Sequence, residues 1–324
     1  MRSIATLGAF LVAVTALAPL GPHVACAQPA SQPASPDSAP GHRSAHSAVA
    51  IGTMIYIAGG LQDDLINFTD RFEVFDTVTK TWSAKSPIPE SRYFMSACEL
   101  GGKAYFIGGG RRDAEWRDTV QRYDPATDAW ETLAPLQIAR NRAAAVACDG
   151  LIYVIGGYVK GANTASVECF DPASGAWSRK ADMPTARHGH CAVAVDGQIY
   201  VLGGVAGMEA DGMNVFEVYD PKTDSWSGLP RVPDPRLFSG ALALDGKIFT
   251  FAGHPPSPRT TACFDTRTYR WEEFSAPLPV QRGRFGFALV DRTMYLIGGE
   301  GDDRAQHCIW TCDLSKPEWK PLGQ

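Results

Sequence analysis

Six arginines stand at equivalent positions along the chain: Arg43, Arg92, Arg140, Arg187, Arg236 and Arg282. Each lies thirteen residues before an aromatic: Tyr56, Tyr105, Tyr153, Tyr200, Phe249 or Tyr295. A guanidinium forks onto carboxylates, so six of them gathered on one face would make a site for an acidic ligand. Two stretches add to this. The second copy offers Arg92-Tyr93, then Arg111, Arg112 and Trp116. The third offers Arg140-Asn141-Arg142, then Tyr158 and Lys160. Aromatics beside arginines suit a sugar ring, an acidic sugar or a carboxylate-bearing peptide. A structural reading stands beside the functional one. A residue fixed in every repeat serves the repeat, each arginine bridging to a neighbouring unit's carboxylate or carbonyl. Arg117 and Asp113 would then form ordinary surface pairs.

Other chemistry is sparser. His188-Gly189-His190 is a close histidine pair, which alternation along a strand puts on one side. A metal wants three or four convergent ligands, and no acid or cysteine stands beside the pair at ligand spacing. No metal and no cofactor is called for. His46 and His190 share a register and would face each other across a six-unit ring. Glu115, Glu209, Asp211 and Glu300 fall in loops where a proton-transferring carboxylate could sit, and no spacing pairs them.

The elements that position these residues repeat. Trp82, Trp130, Trp177, Trp226, Trp271 and Trp319 are spaced by 48, 47, 49, 45 and 48 residues. Seven residues before each comes Phe75, Tyr123, Phe170, Tyr219, Phe264 or Cys312, always followed by Asp. Glycine pairs end an apolar run at Gly59-Gly60, Gly108-Gly109, Gly156-Gly157, Gly203-Gly204 and Gly298-Gly299, with Ala252-Gly253 in the fifth copy. In the third copy, Ala143 to Cys148 reads as strand a and an Asp149-Gly150 turn follows. Leu151 to Ile155 reads as strand b and Ser166 to Phe170 as strand c, and Trp177 begins strand d. Asp-Gly between apolar runs is a hairpin signal, because both residues tolerate positive φ. Four strands in about 47 residues make a propeller blade, whose sheet faces are buried only by stacking against neighbours. The fold class is all-β, a six-bladed β-propeller of four-stranded antiparallel blades.

The glycine pair, the aromatic three residues before it and the aromatic-Asp…Trp turn resemble the kelch repeat family, from about Arg43 to Trp319. The resemblance implies blade-to-blade packing of the Tyr and Trp residues. It also implies a rim where arginines in this register contact carboxylates, as in kelch receptors for acidic peptides. It leaves function open, since such propellers serve as receptors, enzymes and scaffolds. Ligand-contacting residues on this reading are Arg92, Tyr93, Arg111, Arg112, Trp116, Arg140, Asn141, Arg142, Tyr158, Arg187, Arg236 and Arg282. Secreted relatives include sialic acid mutarotases, for which Glu209 and Asp211 are the better acid–base candidates. A copper radical oxidase would need two Tyr, two His and a Cys cross-linked to one Tyr, and the supply of tyrosines outside the framework positions is thin. A cell-envelope scaffold is the third reading, and it expects no small-molecule pocket at the rim. Cys312, standing where an aromatic is the rule, should leave its interface less well filled. No strand donated between the chain ends is visible, so closure should come from blade packing.

Residues 1–27 read as an export signal: Arg2, the apolar run Leu7 to Leu20, and Ala25-Cys26-Ala27 as a small-x-small cleavage site. Residues 28–42 form a Pro/Ala/Ser-rich linker and 43–324 the propeller. Export permits disulfides, and Cys98 with Cys148 is the candidate pair across neighbouring blades. The 32 Gly and 23 Pro argue against a helical bundle. A net charge of −5 gives no pull toward nucleic acid or an anionic membrane, and no membrane-spanning stretch follows the N-terminal run. The expected partner is an acidic or carbohydrate-like small molecule, or a protein.

Overall fold

The computed structural model describes residues 43–322, apart from 63–66, 112–114, 208–210, 255–258, 273, 275 and 302–308. Six four-stranded antiparallel sheets follow one another, each built from one contiguous stretch in the order a-b-c-d. Blade three runs Ala144–Cys148, Leu151–Ile155, Val167–Asp171 and Ala176–Lys180. Blade four has the longest inner hairpin, His188–Val195 with Gln198–Val205. Blade six is complete within its own repeat, at Gly286–Val290, Thr293–Ile297, Ile309–Asp313 and Trp319–Pro321. Among the described residues no helix is long and apolar enough to cross a membrane.

Each repeated residue has a local task. At the a–b hairpins Asp149, Asp196 and Asp245 have φ near +50°, followed by Gly150, Gly197 and Gly246 near +80°, the left-handed pair that the tight turn requires. The aspartate that ends each strand c accepts the backbone N–H two residues on. Oδ1 of Asp76, Asp124, Asp171, Asp220, Asp265 and Asp313 does so at 2.8–3.0 Å. Four of the strand-d tryptophans donate their indole N–H to the segment leaving the preceding blade: Trp130 to Ser86 O, Trp177 to Ala134 O, Trp226 to Ala181 O and Trp271 to Pro230 O.

Adjacent blades meet through aromatic rings. Tyr56 of blade one lies 5.6 Å from Tyr123 of blade two, and Tyr153 of blade three lies 5.9 Å from Tyr219 of blade four. Each such buried ring contributes on the order of 2–3 kcal/mol. The interface between blades five and six corrects one expectation. Cys312 is fully buried, in a cluster with Phe249, Phe251, Phe285 and Trp319 and with Phe274 packed against it. Neighbouring residues thus supply the rings that Cys312 does not. Cys98 and Cys148 are both free thiols, so the candidate disulfide does not form.

The register arginines and the glycine pairs join the blades. The N–H of the second glycine donates to the main-chain carbonyl of the next blade's arginine in all six cases: Gly60 to Arg92, Gly109 to Arg140, Gly157 to Arg187, Gly204 to Arg236, Gly253 to Arg282, and Gly299 to Arg43. The last of these closes the ring. A Cβ on Gly59 would stand 2.4 Å from Arg92 O, and its φ is +63°. The pair is glycine because the backbone of the next blade passes at contact distance.

Candidate functional site

The register arginines do not face the mouth of the channel. Arg92, Arg140, Arg187, Arg236 and Arg282 are all 1% exposed or less. Nor do their side chains bridge to the next blade; each holds its own. Arg140 Nη1 donates to Gly156 O and Ser166 O, at 2.9 and 3.0 Å, and its Nη2 to Glu168. Arg92 donates to Gly108 O, Thr119 O and Gln121, and Arg187 to Thr185 O, Val201 O and Glu217. Arg236 reaches Ala252 O and Thr260, and Arg282 reaches Gly298 O. A guanidinium placed this way ties strand a to strands b and c and offers no face to a ligand. The expectation of a six-arginine ligand ring is thus corrected. The fixed spacing arises because one side chain must span one blade.

The mouth is built from the columns beside the arginines. Two residues after each arginine come Ala45, Phe94, Arg142, Gly189, Phe238 and Arg284. All six have φ between +49° and +63°, a conformation that costs a non-glycine residue on the order of 1 kcal/mol or more. The left-handed turn lets successive blades hydrogen-bond around the axis. Ala45 N–H donates to Arg284 O, Phe94 to Ala45, Arg142 to Phe94, Gly189 to Arg142 and Phe238 to Gly189, at 2.7–3.1 Å. The side chains repeat after three blades: Ala45 and Gly189, Phe94 and Phe238, Arg142 and Arg284.

Phe94 and Phe238 come from opposite blades and stack with centroids 5.3 Å apart and planes at 21°. They plug the axis. Arg142 lies 4.6 Å from the Phe94 ring and 5.6 Å from the Phe238 ring, and Arg284 lies 5.6 Å from each. The two cations flank one aromatic pair, an arrangement that favours guanidinium planes over ring faces. The phenylalanine pair and both arginines line a pocket of about 170 Å³ that continues into the channel along Ala48, Ala97, Ala145 and Ala192.

Both arginines are oriented by neighbours. Arg284 Nη1 pairs with Glu300 Oε2 at 2.8 Å, and Glu300 Oε1 accepts from Ser44 Oγ at 2.8 Å. Arg142 Nη1 reaches His188 Nε2 at 3.4 Å. Asn163 Nδ2 donates to Val205 O, which turns Oδ1 toward His188, so His188 Nδ1–H donates at 2.6 Å and Nε2 keeps its lone pair for Arg142. Burial and the Arg142 charge lower the His188 pKa to about 4, which keeps the ring neutral at ordinary pH. Burial and the Arg284 charge also lower that of Arg142. His190 and His46 face away from any shared ligand. His190 Nε2 bonds Ile155 O at 3.1 Å, and His46 Nε2 accepts from Gly286 N–H at 3.0 Å.

The aromatics expected in blades two and three do come together. Tyr93 stacks on Phe68 at 4.9 Å and meets Phe94 at 5.3 Å. Trp116 meets Tyr158 at 6.1 Å, and Tyr158 meets His188 at 5.2 Å. Gly110 lies between Tyr93 and Trp116; a Cβ there would stand 3.0 Å from Tyr93 and 2.9 Å from Trp116. Asn141, paired in register with Tyr158, is buried with neither end of its amide hydrogen-bonded. Arg111 points to the outer edge, 3.1 Å from Glu90, and Arg117 pairs with Glu90 and Glu115. Arg112, Glu209 and Asp113 lie outside the described residues.

Phe94, Phe238 and Arg284 were missed by reasoning blade by blade. Their signal is a column: two places past each arginine the sequence runs Ala, Phe, Arg, Gly, Phe, Arg.

The fold and the mouth together define a six-bladed kelch-type propeller whose mouth lies on the face where the segments entering strands a meet the b–c loops. The KLHDC2/KLHL20/DRC7 Kelch-repeats domain matches residues 26–142 and 142–323. The chain belongs to the kelch-repeat family. It is similar to human Kelch domain-containing protein 3, 37% identical over 73 residues, covering 22% of this chain and 19% of that protein. It is also similar to human Kelch-like protein 23, at 31% over 72 residues, 22% of this chain and 13% of that one. An F-box/kelch-repeat protein of Arabidopsis thaliana is 35% identical over 66 residues, 19% of this chain and 16% of that protein. The chain thus spans under a fifth of the length of these relatives. A solved structure of YjhT superposes with a TM-score of 0.74 at 15% identity, covering 88% of this chain and 99% of that one; this likeness is one of fold.

Proposed function

We propose that this protein is an exported binding propeller whose mouth takes a carboxylate-bearing ligand, either an acidic sugar or an acidic segment of a protein partner. The observation that carries the reading is the pair of guanidiniums, Arg142 and Arg284, held on either side of one stacked phenylalanine pair. A carboxylate above Phe94 and Phe238 would have a fork on each side, with Tyr93, Trp116 and Tyr158 as the wall for a sugar ring or a peptide side chain. The scaffold reading, which expects no pocket at this rim, is disfavoured by the pocket at the mouth.

The test is a thermal-shift screen with a sialic acid, a neutral hexose and a peptide rich in aspartate and glutamate. A ligand that binds the native state raises its apparent stability. The acidic compounds should raise the melting temperature and the hexose should not, and the double variant Arg142→Gly, Arg284→Gln should lose the response. An unchanged response in that variant would remove the assignment. A second reading, sugar ring opening at the same mouth, rests on Glu300, a carboxylate fixed there by Ser44 and Arg284. Anomer exchange of the bound acidic sugar, followed by NMR, separates the two, because a pure binder leaves the exchange rate unchanged.

A further inference from the structure

The mouth has a pseudo-twofold plan, and Glu300 breaks it. The residues that follow the glycine pairs form one column: Leu61, Gly110, Tyr158, Val205, His254 and Glu300. Tyr158 and Glu300 hold corresponding places in opposite blades. Tyr158 pairs in register with Asn141, one residue after Arg140, and Glu300 pairs with Gly283, one residue after Arg282. Tyr158 lies within electrostatic reach of Arg142, and Glu300 is ion-paired with Arg284. The next neighbours correspond as well, for His188 follows Arg187 of blade four as Ser44 follows Arg43 of blade one. The His188 ring lies 5.2 Å from that of Tyr158, and Ser44 Oγ donates to Glu300 Oε1 at 2.8 Å. The two halves therefore share a frame and differ in charge: Glu300 is the single acid of its column.

Arg284 Nη1 lies 2.8 Å from Oε2 of Glu300 and 3.2 Å from Oε1. Both side chains are open to solvent in part, Arg284 at 28% and Glu300 at 18%. A carboxylate arriving at Arg284 meets one already seated on that guanidinium, and like charges set side by side in a binding site repel. In blade three the corresponding side chain is a phenol. We infer that Glu300 is a specificity-determining residue that makes the mouth selective for ligands with a single carboxylate. The inference rests on the reading of the mouth as a carboxylate site. That one carboxylate goes to the Arg142 half. The Arg284 half takes a hydroxyl, because a carboxylate has about four acceptor sites and Ser44 and Arg284 fill fewer than that on Glu300. The ligand class is a hydroxylated monocarboxylic acid, and a diacid of the same length is turned away.

Calorimetric titration of the full chain with gluconate and glucarate tests this, since the two sugar acids differ only in a terminal hydroxyl against a second carboxylate. The wild type should bind gluconate at least about tenfold more tightly than glucarate. Glu300→Gln keeps the shape and an acceptor for Ser44 and removes the charge. It should raise the affinity for glucarate about tenfold and move that for gluconate by less than about threefold. The mirror change adds charge to the other half: Tyr158→Glu should weaken gluconate about tenfold relative to Tyr158→Gln. A parallel change of both acids in Glu300→Gln would mark a merely structural role and overturn the inference. It is equally overturned if the wild type binds the two acids alike or prefers glucarate, a result that leaves the carboxylate reading of the mouth standing. Binding of neither acid overturns it together with that reading. The wild-type ratio alone can overturn the inference, so a variant that fails to fold does not shield it.

Discussion

Arg140 and Arg142 stand two residues apart and do opposite work. Arg140 sits in the column that recurs in every blade. It is 1% exposed and engaged with Ile138 O, Gly156 O, Ser166 O and Glu168. Arg142 sits in a column whose residue changes from blade to blade. It is held at φ +54° and lies over two phenylalanine rings. The first arginine is fixed by the geometry of one blade, so its type repeats. The second is fixed only by what lies at the channel mouth, so its type is free to vary. In a repeat protein, the residues that catch the eye by recurring are the frame, and the site lies in the columns between them.

Three measurements sharpen or break this contrast. The largest effect should come from Arg140→Met, which strands Glu168 in the interior. Breaking a buried ion pair by removing one partner costs about 3–5 kcal/mol, readable in denaturant unfolding. Arg236→Met should cost less, about 1–3 kcal/mol, because Arg236 is held by Ala252 O and Thr260 and no carboxylate is orphaned. Arg142→Gly comes next: relief of the left-handed backbone offsets the lost ring contacts, and stability should move by less than about 1 kcal/mol. If Arg142→Gly proved as damaging as Arg140→Met, the division between frame and site would fail.

A further test reads a dependence on pH. His188 is neutral in the folded protein with its pKa lowered to about 4, against about 6.5 when unfolded. Below pH 6.5 the unfolded chain takes up a proton that the folded one refuses. The contribution of this histidine is therefore complete above pH 6.5 and lost as pH falls toward 4, at no more than about 1.4 kcal/mol per pH unit. His190, whose pKa burial also lowers, acts in the same direction. Melting curves of wild type and His188→Gln between pH 4 and 7 should diverge from top to bottom of that range, with the wild type the more sensitive. Parallel curves would place His188 outside the charge balance of the mouth.

The propeller was legible in the sequence because its determinants are short-range and repeated six times. The Asp of the strand-c turn bonds two residues on, and the Asp-Gly hairpins declare their own φ angles. The aromatic sector was legible as well: Tyr93, Trp116 and Tyr158 stand outside the frame columns, and they gather. The direction of the register arginines was not legible. Whether a guanidinium turns into its blade or toward the axis depends on carbonyls sixteen residues away, such as Gly108 O for Arg92 and Gly156 O for Arg140. Phe94 and Phe238 were hidden for a different reason. They are 144 positions apart in sequence, and only ring closure brings opposite blades together. Cys312 shows the same limit, since Phe251, Phe274 and Phe285 fill the interface from positions that no local pattern links to it.

The hydrogen bond from Gly299 N–H to Arg43 O has the same form as the other five between blades. Since every blade is also one contiguous stretch of chain, the seam between blades six and one is physically no different from the rest. No blade is privileged as first. The covalent order of the repeats could be rotated, opened between blades three and four and joined by a short linker across the present seam, without altering one inter-blade link. Such a circular permutant would place Arg142 and His188 on opposite sides of the new break, and the mouth would reassemble only through the non-covalent ring.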